Sequence, residues 1–375
     1  MCRRIRTRVS VPTICASRVS RAIRCLVGYT RLHRSYFPGS LWAKSSIRGE
    51  ADTVRTAKKI ALEEHFLCPG FEEYWAPTVV DIDPAIYQRL RAQLLDFGSM
   101  RLDAMDQAGI ERSVLSLTSP GIQTEPVAAI ACRKAKQAND LLAGQIEKKP
   151  DRYSGFACLP MQDPAAAADE LERCVRELAF CGALINGHTL GEYLDHPKFY
   201  PFWERAAALG APIYLHPADP VSSYPAIAGC APLKRAMWEW SVETGSHALR
   251  LIFGGIFDRF PGARLVVGHL GETLPFLLWR FDSRAQIYGM KLQKRPSEYI
   301  REHMFVTTSG MFSAEPLLCS TAALGLGRVM FSVDYPYESA DAAADFIETA
   351  SLDEQARADV CFNNAARLLG LSGRE

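Results

Sequence analysis

The sequence lacks several patterns that mark common protein classes. No run approaches the roughly 18 consecutive apolar residues that a membrane-crossing helix needs, so we expect a soluble protein without a membrane partner. Its eleven cysteines form no CxxC pair and their total is odd, which predicts reduced thiols and excludes a zinc ribbon and a disulfide framework. No GxSxG motif occurs, which argues against a serine hydrolase.

Acidic residues are absent from the first 49 positions, which carry eleven of the 43 Lys and Arg. The rest of the chain has 32 basic against 42 acidic residues, a net charge of −10 that argues against a nucleic-acid partner. The Arg- and Ser-rich start is typical of an organelle transit peptide, and a start codon assigned too far upstream would also produce it. We exclude this leader, residues 1–57, from the fold. We expect a cytoplasmic protein, or a mitochondrial one if the leader is a transit peptide.

From residue 58 onward, eight short apolar segments alternate with longer ones of helical period, such as 165–180, 271–289 and 340–350. Strands separated by helices imply right-handed crossovers and a parallel sheet, and eight such units can close into a barrel. We therefore predict one α/β domain over 58–375, a (β/α)8 TIM barrel. The alternative is a doubly wound open sheet, although no GxGxxG follows the first strand. The predicted strands are 59–66, 112–119, 153–160, 182–186, 212–217, 264–269, 304–310 and 328–334.

Ionisable residues stand near the carboxyl ends of four of these apolar strands. Carboxyl ends share one face of a barrel, the face on which barrel active sites lie. In the first strand, KIALEEHF, Glu63 and His65 point to one side and Glu64 to the other, because side chains alternate along a strand. The other three strands end at His216, His269 and Asp334.

Each of these residues alone has an ordinary structural explanation. A single histidine after a strand is usually a hydrogen-bonded structural residue, and Asp334, before Tyr-Pro, could open a turn. Together they are harder to explain without a ligand, because buried carboxylates need a neutralising charge. A divalent cation bound by two carboxylates and two imidazoles supplies that charge, so the pattern predicts a metal site.

The motif GHLGE places an acid three residues after His269. We expect this acid, Glu272, on the first turn of the helix that follows the strand, where its carboxylate can orient the imidazole and raise its basicity. The alternative is an acid favoured at a helix start by the helix dipole, and both roles can hold together.

Ordered motifs extend over about residues 58–370: KIALEEHF, LSLTSPGIQ, RYSGFACLPMQDP, GALINGHT, YLHPADP, VETGSHALRLIFGGIFDRFP, VVGHLGETLPFLLWR, TTSG and FSVDYPYE. On these motifs the chain resembles the amidohydrolase superfamily, and within it the branch of non-oxidative aromatic acid decarboxylases. Typical hydrolases of the superfamily carry His-x-His on the first strand, where this chain has Glu63, Glu64 and His65.

The resemblance implies a ligand set and a cofactor. The metal ligands would be Glu63, His65, His216 and Asp334, and the ion would be zinc or manganese, with no organic cofactor. His269 would be the active-site histidine, with Glu272 as its partner. The resemblance also suggests a homodimer or homotetramer.

The implied reaction removes carbon dioxide from a small aromatic acid, an ortho-hydroxybenzoate. Direct loss would leave an aryl carbanion in the ring plane, so the carboxyl-bearing carbon must be protonated first. We expect Asp334 to deliver this proton, while His269 with Glu272 orients the substrate. One motif, EEHF, favours 2,6-dihydroxybenzoate (γ-resorcylate), whereas LTSPGIQ, INGHTLGEYLD and VETGSHALRL favour 5-carboxyvanillate. The decarboxylases of salicylate and of 2,3-dihydroxybenzoate belong to the same branch.

A second group of residues is predicted to contact the substrate. Arg280 matches an arginine that meets the substrate in relatives, from the same or a neighbouring subunit; a solvated helix residue is the alternative. The others follow strand ends and could instead have packing or loop roles: Thr118, Asn186, His188 and Tyr337.

Two competing functions remain open. One is a metal-dependent hydrolase or lactonase on the same barrel, in which the cation activates water. Glu63 in place of the usual histidine counts against it. The other is a binding protein that has lost catalysis, and the complete ligand set counts against that.

Overall fold

The computed structural model describes residues 57–371, so all but the last residue of the predicted leader lies outside the described part. Eight strands alternate with helices along this part of the chain. The strands are β1 Lys59–Phe66, β2 Ile110–Leu117, β3 Tyr153–Ala157, β4 Gly182–Asn186, β5 Ile213–His216, β6 Leu265–Val267, β7 Met304–Thr307 and β8 Val329–Met330.

The α-helices mostly follow the strands, and two of them begin at Pro after an aspartate N-cap. Asp163, for example, accepts hydrogen bonds from the backbone N–H groups of Ala165 and Ala166. The helices are α1 Glu72–Trp75, α2 Pro84–Leu95, α3 Ser99–Ala108, α4 Ala128–Lys148, α5 Pro164–Arg176, α6 Tyr200–Leu209, α7 Glu239–Phe253, α8 Ile256–Arg259, α9 Leu278–Ile287, α10 Pro296–His303, α11 Ala314–Leu324, α12 Ala340–Thr349, α13 Glu354–Ala358 and α14 Asn364–Leu369.

The strands form one parallel sheet in sequence order, each paired with the next. The last strand returns to the first: Glu64 bridges Tyr335, and the His65 N–H donates to the Tyr335 carbonyl at 2.7 Å. The predicted TIM barrel is thus confirmed, and the open-sheet alternative is wrong. All eight predicted strands are present, but only β1 and β4 end where predicted, and the other six end one to four residues earlier.

Two buried layers hold the barrel together. One fills its interior and includes Ile60, Leu62 and Tyr214, and leucines of α14 belong to the same cluster. The larger layer packs between the strands and the surrounding helices. The pairing of β1 with β2 shifts register between Ala61 and Glu64, and this irregularity lets Leu62 and Glu63, consecutive residues, both reach the interior.

Two long segments follow β1 and β5. The first contains α1 and a 3₁₀ turn, Ala76–Val79; the second contains the 3₁₀ turn Ala231–Leu233. They meet where the Arg235 guanidinium donates to the Pro77 carbonyl at 2.8 Å. Because β1 and β5 carry predicted ligands, both segments begin at the carboxyl end of a ligand-bearing strand.

The eight cysteines among the described residues are all free. Within residues 57–371, no helix has the length and apolar character needed to cross a bilayer.

Candidate metal centre

The four predicted ligands come from three places in the sequence and meet at the face of the barrel formed by the carboxyl ends of the strands. One donor atom from each of Glu63, His65, His216 and Asp334 lies within 4.8 Å of the others. His65 Nε2 is 3.1 Å from Asp334 Oδ1, and His216 Nε2 is 3.2 Å from Glu63 Oε1. Atoms bound at about 2 Å to one ion lie about 3–4 Å apart, so the spacing suits a single cation.

Three of the four donor atoms have no hydrogen-bond partner among the described residues. Glu63 Oε1, His65 Nε2 and Asp334 Oδ1 are buried and accept or donate no hydrogen bond. Such atoms are costly to bury unless something satisfies them. A bound divalent cation would satisfy all three at once, so these residues fit the metal that the sequence predicts.

The His216 ring is held in the tautomer that a ligand needs. Its Nδ1 is 2.8 Å from the carbonyl of Pro217, so Nδ1 carries the proton and donates it. Nε2 then keeps its lone pair and faces Glu63. A hydrogen bond on the far ring nitrogen is the usual way in which proteins orient a metal-binding histidine.

Two residues that the sequence patterns did not single out bind the Glu63 carboxylate on the side away from the other ligands, and a third supports them. Its Oε2 accepts hydrogen bonds from the Tyr214 hydroxyl and the Ser309 hydroxyl. Tyr214 is also 2.6 Å from Thr307 Oγ1. The signal was available for Tyr214, since it lies two residues before His216 in β5 and therefore shares its face.

The charges around Glu63 keep it ionised. Burial alone would raise the pKa of this carboxyl, but His269 and His216 hold the pKa well below its usual range. Burial lowers the pKa of His65, more than the facing Asp334 raises it. The arrangement thus favours an anionic carboxylate and a neutral imidazole, the forms in which both bind cations.

His269 and Glu272 are paired, but not in the predicted way. His269 Nδ1 lies 2.7 Å from Glu272 Oε1. The prediction that Glu272 stands on the first turn of a helix is wrong, and so is its helix-dipole alternative, because Glu272 has left-handed backbone angles (φ +50°) and α9 begins only at Leu278. His269, Leu270 and Thr273 also have positive φ, and this irregular turn carries the acid to the ring.

The other nitrogen of His269 faces the ligand cluster. Nε2 is 3.8 Å from Asp334 Oδ2 and 3.9 Å from Glu63 Oε1. Burial would lower the pKa of the His269 imidazole, but the carboxylates of Glu272, Glu63 and Asp334 outweigh it and raise the pKa well above its ordinary value. His269 can therefore hold a proton beside Asp334.

Asp334 has both of the roles weighed from its sequence. Its carbonyl accepts hydrogen bonds from the N–H groups of Tyr337 (2.9 Å) and Glu338 (3.1 Å), so its backbone does open a turn. Its side chain nevertheless joins the cluster. The residue has a left-handed φ of +80°, a conformation that costs energy outside glycine and is frequent at functional sites.

Two predicted substrate-contact residues lie together near the cluster. Thr118 Oγ1 is 2.6 Å from the Tyr337 hydroxyl, which also accepts a hydrogen bond from Trp75 Nε1 at 2.9 Å. The Tyr337 ring centroid is 5.7 Å from that of His65. This pair is therefore placed to form one wall beside the ligands.

The remaining three predicted contacts differ in position. Asn186 pairs with His216 across β4 and β5, and its buried Oδ1 has no partner among the described residues. His188 accepts a hydrogen bond from the Gly191 N–H through Nδ1. Arg280 is exposed on α9 and forms no hydrogen bond or ion pair with the described residues, so the structure does not bring it to the cluster.

A barrel that carries such a cluster at the carboxyl ends of its strands is typical of a metal-dependent enzyme of the amidohydrolase type. The amidohydrolase family matches residues 93–371, and the chain belongs to this family. It is 40% identical over 326 residues to the γ-resorcylate decarboxylase of Polaromonas sp. (strain JS666 / ATCC BAA-500), a match that covers 84% of this chain and 99% of that relative.

Solved structures agree with this placement. The crystal structure of 2,6-dihydroxybenzoate decarboxylase complexed with 2,6-dihydroxybenzoate is 37% identical, with a TM-score of 0.80 over 85% of this chain and 100% of that one. The dihydroxybenzoic acid decarboxylase of Polaromonas sp. JS666, with bound manganese and the inhibitor 2-nitroresorcinol, is 39% identical, with a TM-score of 0.77 over 84% and 98%.

Proposed function

We propose that this protein is a metal-dependent, non-oxidative decarboxylase that converts an ortho-hydroxybenzoate to carbon dioxide and a phenol. The observation that carries the proposal is the cluster of Glu63, His65, His216 and Asp334, with a glutamate on the first strand. Among the substrates we favour 2,6-dihydroxybenzoate over 5-carboxyvanillate, because the γ-resorcylate decarboxylase of Polaromonas is 40% identical over nearly its whole length.

The cofactor is one divalent ion, manganese or zinc. The partnerless atoms of Glu63, His65 and Asp334, with His216 Nε2, would hold it. The bound manganese of the Polaromonas structure supports manganese, whereas the donor set suits zinc equally well. When bound, the ion supplies positive charge that neutralises and orients an acidic phenol-carboxylate.

The side chains then supply the proton. Asp334 Oδ2 faces His269 Nε2 at 3.8 Å, and His269 is held by Glu272 on its far side. We assign to Asp334 the delivery of a proton to the carboxyl-bearing carbon, and to His269 the replacement of that proton and the orientation of the substrate. A positioned acid of this kind contributes about 10²- to 10⁴-fold to a rate, so the positioning of the ring must supply much of the rest.

Substrate contacts and assembly belong to the same proposal. Thr118 and Tyr337 would line the ring, with Asn186 and His188 at the neighbouring strand end. Arg280 would reach a substrate carboxylate from a second copy of the chain. Its neighbours Phe276 and Trp279 are 79% and 78% exposed, an apolar surface that a homodimer or homotetramer would cover. A cytoplasmic location stays a prediction.

One experiment tests the activity. Manganese-loaded protein is incubated without oxygen with 2,6-dihydroxybenzoate, 5-carboxyvanillate and a panel of lactones. We expect carbon dioxide and resorcinol in equal amounts from the first compound. Hydrolysis of a lactone without any decarboxylation would instead establish the competing hydrolase.

A further inference from the structure

The barrel closes through a seam between β1 and the segment that follows β8, and most of the candidate ligands lie on it. The Asp334 N–H donates to the Glu63 carbonyl at 3.0 Å, and the His65 N–H donates to the Tyr335 carbonyl at 2.7 Å. The backbones of Glu63, His65 and Asp334 are therefore bonded across this seam. Any change in its register would move β1 ligands relative to Asp334.

Only part of the seam is an ordinary backbone ladder. Below Asp334, the Ser332 hydroxyl accepts hydrogen bonds from the N–H groups of Leu62 (3.1 Å) and Glu63 (2.6 Å). The same hydroxyl donates to Glu64 Oε1 at 3.0 Å, and this oxygen also accepts from the Val333 N–H at 3.0 Å. Two fully buried side chains thus replace backbone bonds of the ladder.

A third side chain fixes the seam from the helix layer. Arg101 on α3 is buried, and its Nη2 donates to the His65 carbonyl at 2.6 Å. Its guanidinium carbon lies 4.8 Å from the ring centroid of Tyr335, on the other strand of the seam. Arg101 therefore contacts both sides of the junction.

These three residues do not belong to the ligand cluster. Glu64 points away from Glu63 and His65, because side chains alternate along β1. A slip of one residue in a parallel pair displaces a strand by about 3.3 Å, more than the distance from a ligand atom to an ion. A device that fixes the register is therefore needed where ligands come from both strands.

We propose that Glu64, Ser332 and Arg101 are positioning residues that set the separation of Glu63 and His65 from Asp334, and thereby the affinity for the divalent ion. The inference deepens the proposed metal site and rests on it. What Glu64 contributes is a hydrogen-bond acceptor at Oε1, not a charge that reaches the ion.

The test measures metal binding without substrate. Manganese is titrated calorimetrically into metal-free protein, with wild type beside Glu64→Ala, Glu64→Gln and Ser332→Ala. Removing outer partners of metal ligands typically costs about 10- to 100-fold in affinity, so we expect the Kd to rise by that factor in both alanine variants. Glu64→Gln keeps an oxygen at the acceptor position, and its Kd should stay within about three-fold of wild type.

Two further variants make the result decisive. Ser332→Cys replaces the hydroxyl by a somewhat larger thiol that accepts hydrogen bonds only weakly, so it reports on the same bond if Ser332→Ala does not fold. Ser297→Ala is the control, since Ser297 is also buried and bonded to a side chain, Asp282, but lies on α10. Its Kd should equal that of wild type.

Three outcomes bear on the proposal. Alanine variants that fold and bind manganese like wild type would overturn it, and so would Glu64→Gln binding as weakly as Glu64→Ala, because the charge would then be what matters. Restored kcat with unchanged KM at saturating manganese would support it. Failure of the decarboxylase proposal is distinguishable, since wild type would then bind manganese but release no carbon dioxide.

Discussion

Gly268 leaves no space for a side chain beside Glu63: a Cβ at Gly268 would lie 2.5 Å from Glu63 Oε2, and 3.0 Å from Ser309 Oγ. Because Gly268 has no side chain, the backbone that follows β6 can approach the buried Glu63 carboxylate. This close approach comes one residue before His269. No local sequence pattern marks this glycine. Its backbone φ is negative, so close approach, and not a special conformation, requires glycine here.

We expect Gly268→Ala to displace the Glu63 carboxylate and weaken manganese binding at least about ten-fold, with a matching loss of activity at low metal concentration. Calorimetric titration and initial rates measure both. The matched control is Gly144→Ala inside α4, where a Cβ would have no atom within 4 Å. That variant should gain about 0.4–1 kcal/mol of stability and keep wild-type kcat. Unchanged metal binding in Gly268→Ala would contradict the close approach.

Removal of the metal should abolish activity and lower the thermal stability. An ion that binds only the folded protein stabilises it by about 2.7 kcal/mol at 100 times its Kd. Chelation should therefore lower the Tm, and added manganese should restore both Tm and rate. Glu63→Gln should show the low Tm with and without manganese. Full activity in a preparation shown by elemental analysis to be metal-free would reject the metal site.

Asp334→Asn tests the assigned proton donor. The amide keeps an oxygen for the ion but cannot deliver a proton, so we expect kcat to fall by about 10²- to 10⁴-fold while manganese stays bound. The measurements are single-turnover rates and metal content in the same sample. Wild-type rates with metal still bound would show that another group protonates the ring.

Glu272→Gln tests the partner of His269. The amide retains the shape of the side chain but removes the carboxylate that holds the imidazolium, so we expect a loss of kcat near the lower end of acid–base contributions, about 10²-fold. Metal content should not change, because Glu272 is not in the ligand cluster. Glu315→Gln, on the exposed side of α11, is the control. Wild-type kcat in Glu272→Gln would mean that the pairing of Glu272 with His269 serves packing alone.

The buried His247 predicts how stability depends on pH. Burial lowers its pKa from 6.5 to about 3, helped by the charge of Arg250, and its Nε2 accepts a hydrogen bond from the Leu194 N–H at 2.9 Å. Between these pH values the unfolded chain binds one more proton than the folded one. The contribution of His247 to stability is therefore complete above pH 6.5 and is lost as the pH falls towards 3, by about 1.4 kcal/mol per pH unit.

His247→Gln keeps an acceptor for the Leu194 N–H but cannot titrate. Urea unfolding at several pH values from 7.5 down to 4.5 measures the free energy of unfolding of both proteins. Below pH 6.5 this free energy should fall less steeply in the variant than in wild type, by up to about 1.4 kcal/mol per pH unit, the contribution of one proton. Equal slopes in the two proteins would mean that His247 is not neutral in the folded state.

Much of the barrel and the identity of the candidate ligands follow from the sequence. Strand periodicity placed β1 and β4 at their observed bounds. His216 and Asp334 could be singled out because an ionisable group after an apolar strand is itself a local signal. Local patterns of this kind need no knowledge of what lies opposite in space.

Only the tertiary structure decided how the site is held. Ser332 reaches Leu62 and Glu63, and Gly268 meets Glu63, through contacts between segments far apart in the chain. The placement of Glu272 was mispredicted because the turn before α9 contains several left-handed residues, a conformation that residues other than glycine rarely adopt and that the local sequence does not indicate. Each side chain that could bind an ion can be recognised from the sequence of its own strand. The spacing of these side chains depends on hydrogen bonds that form only when the first and last strands meet.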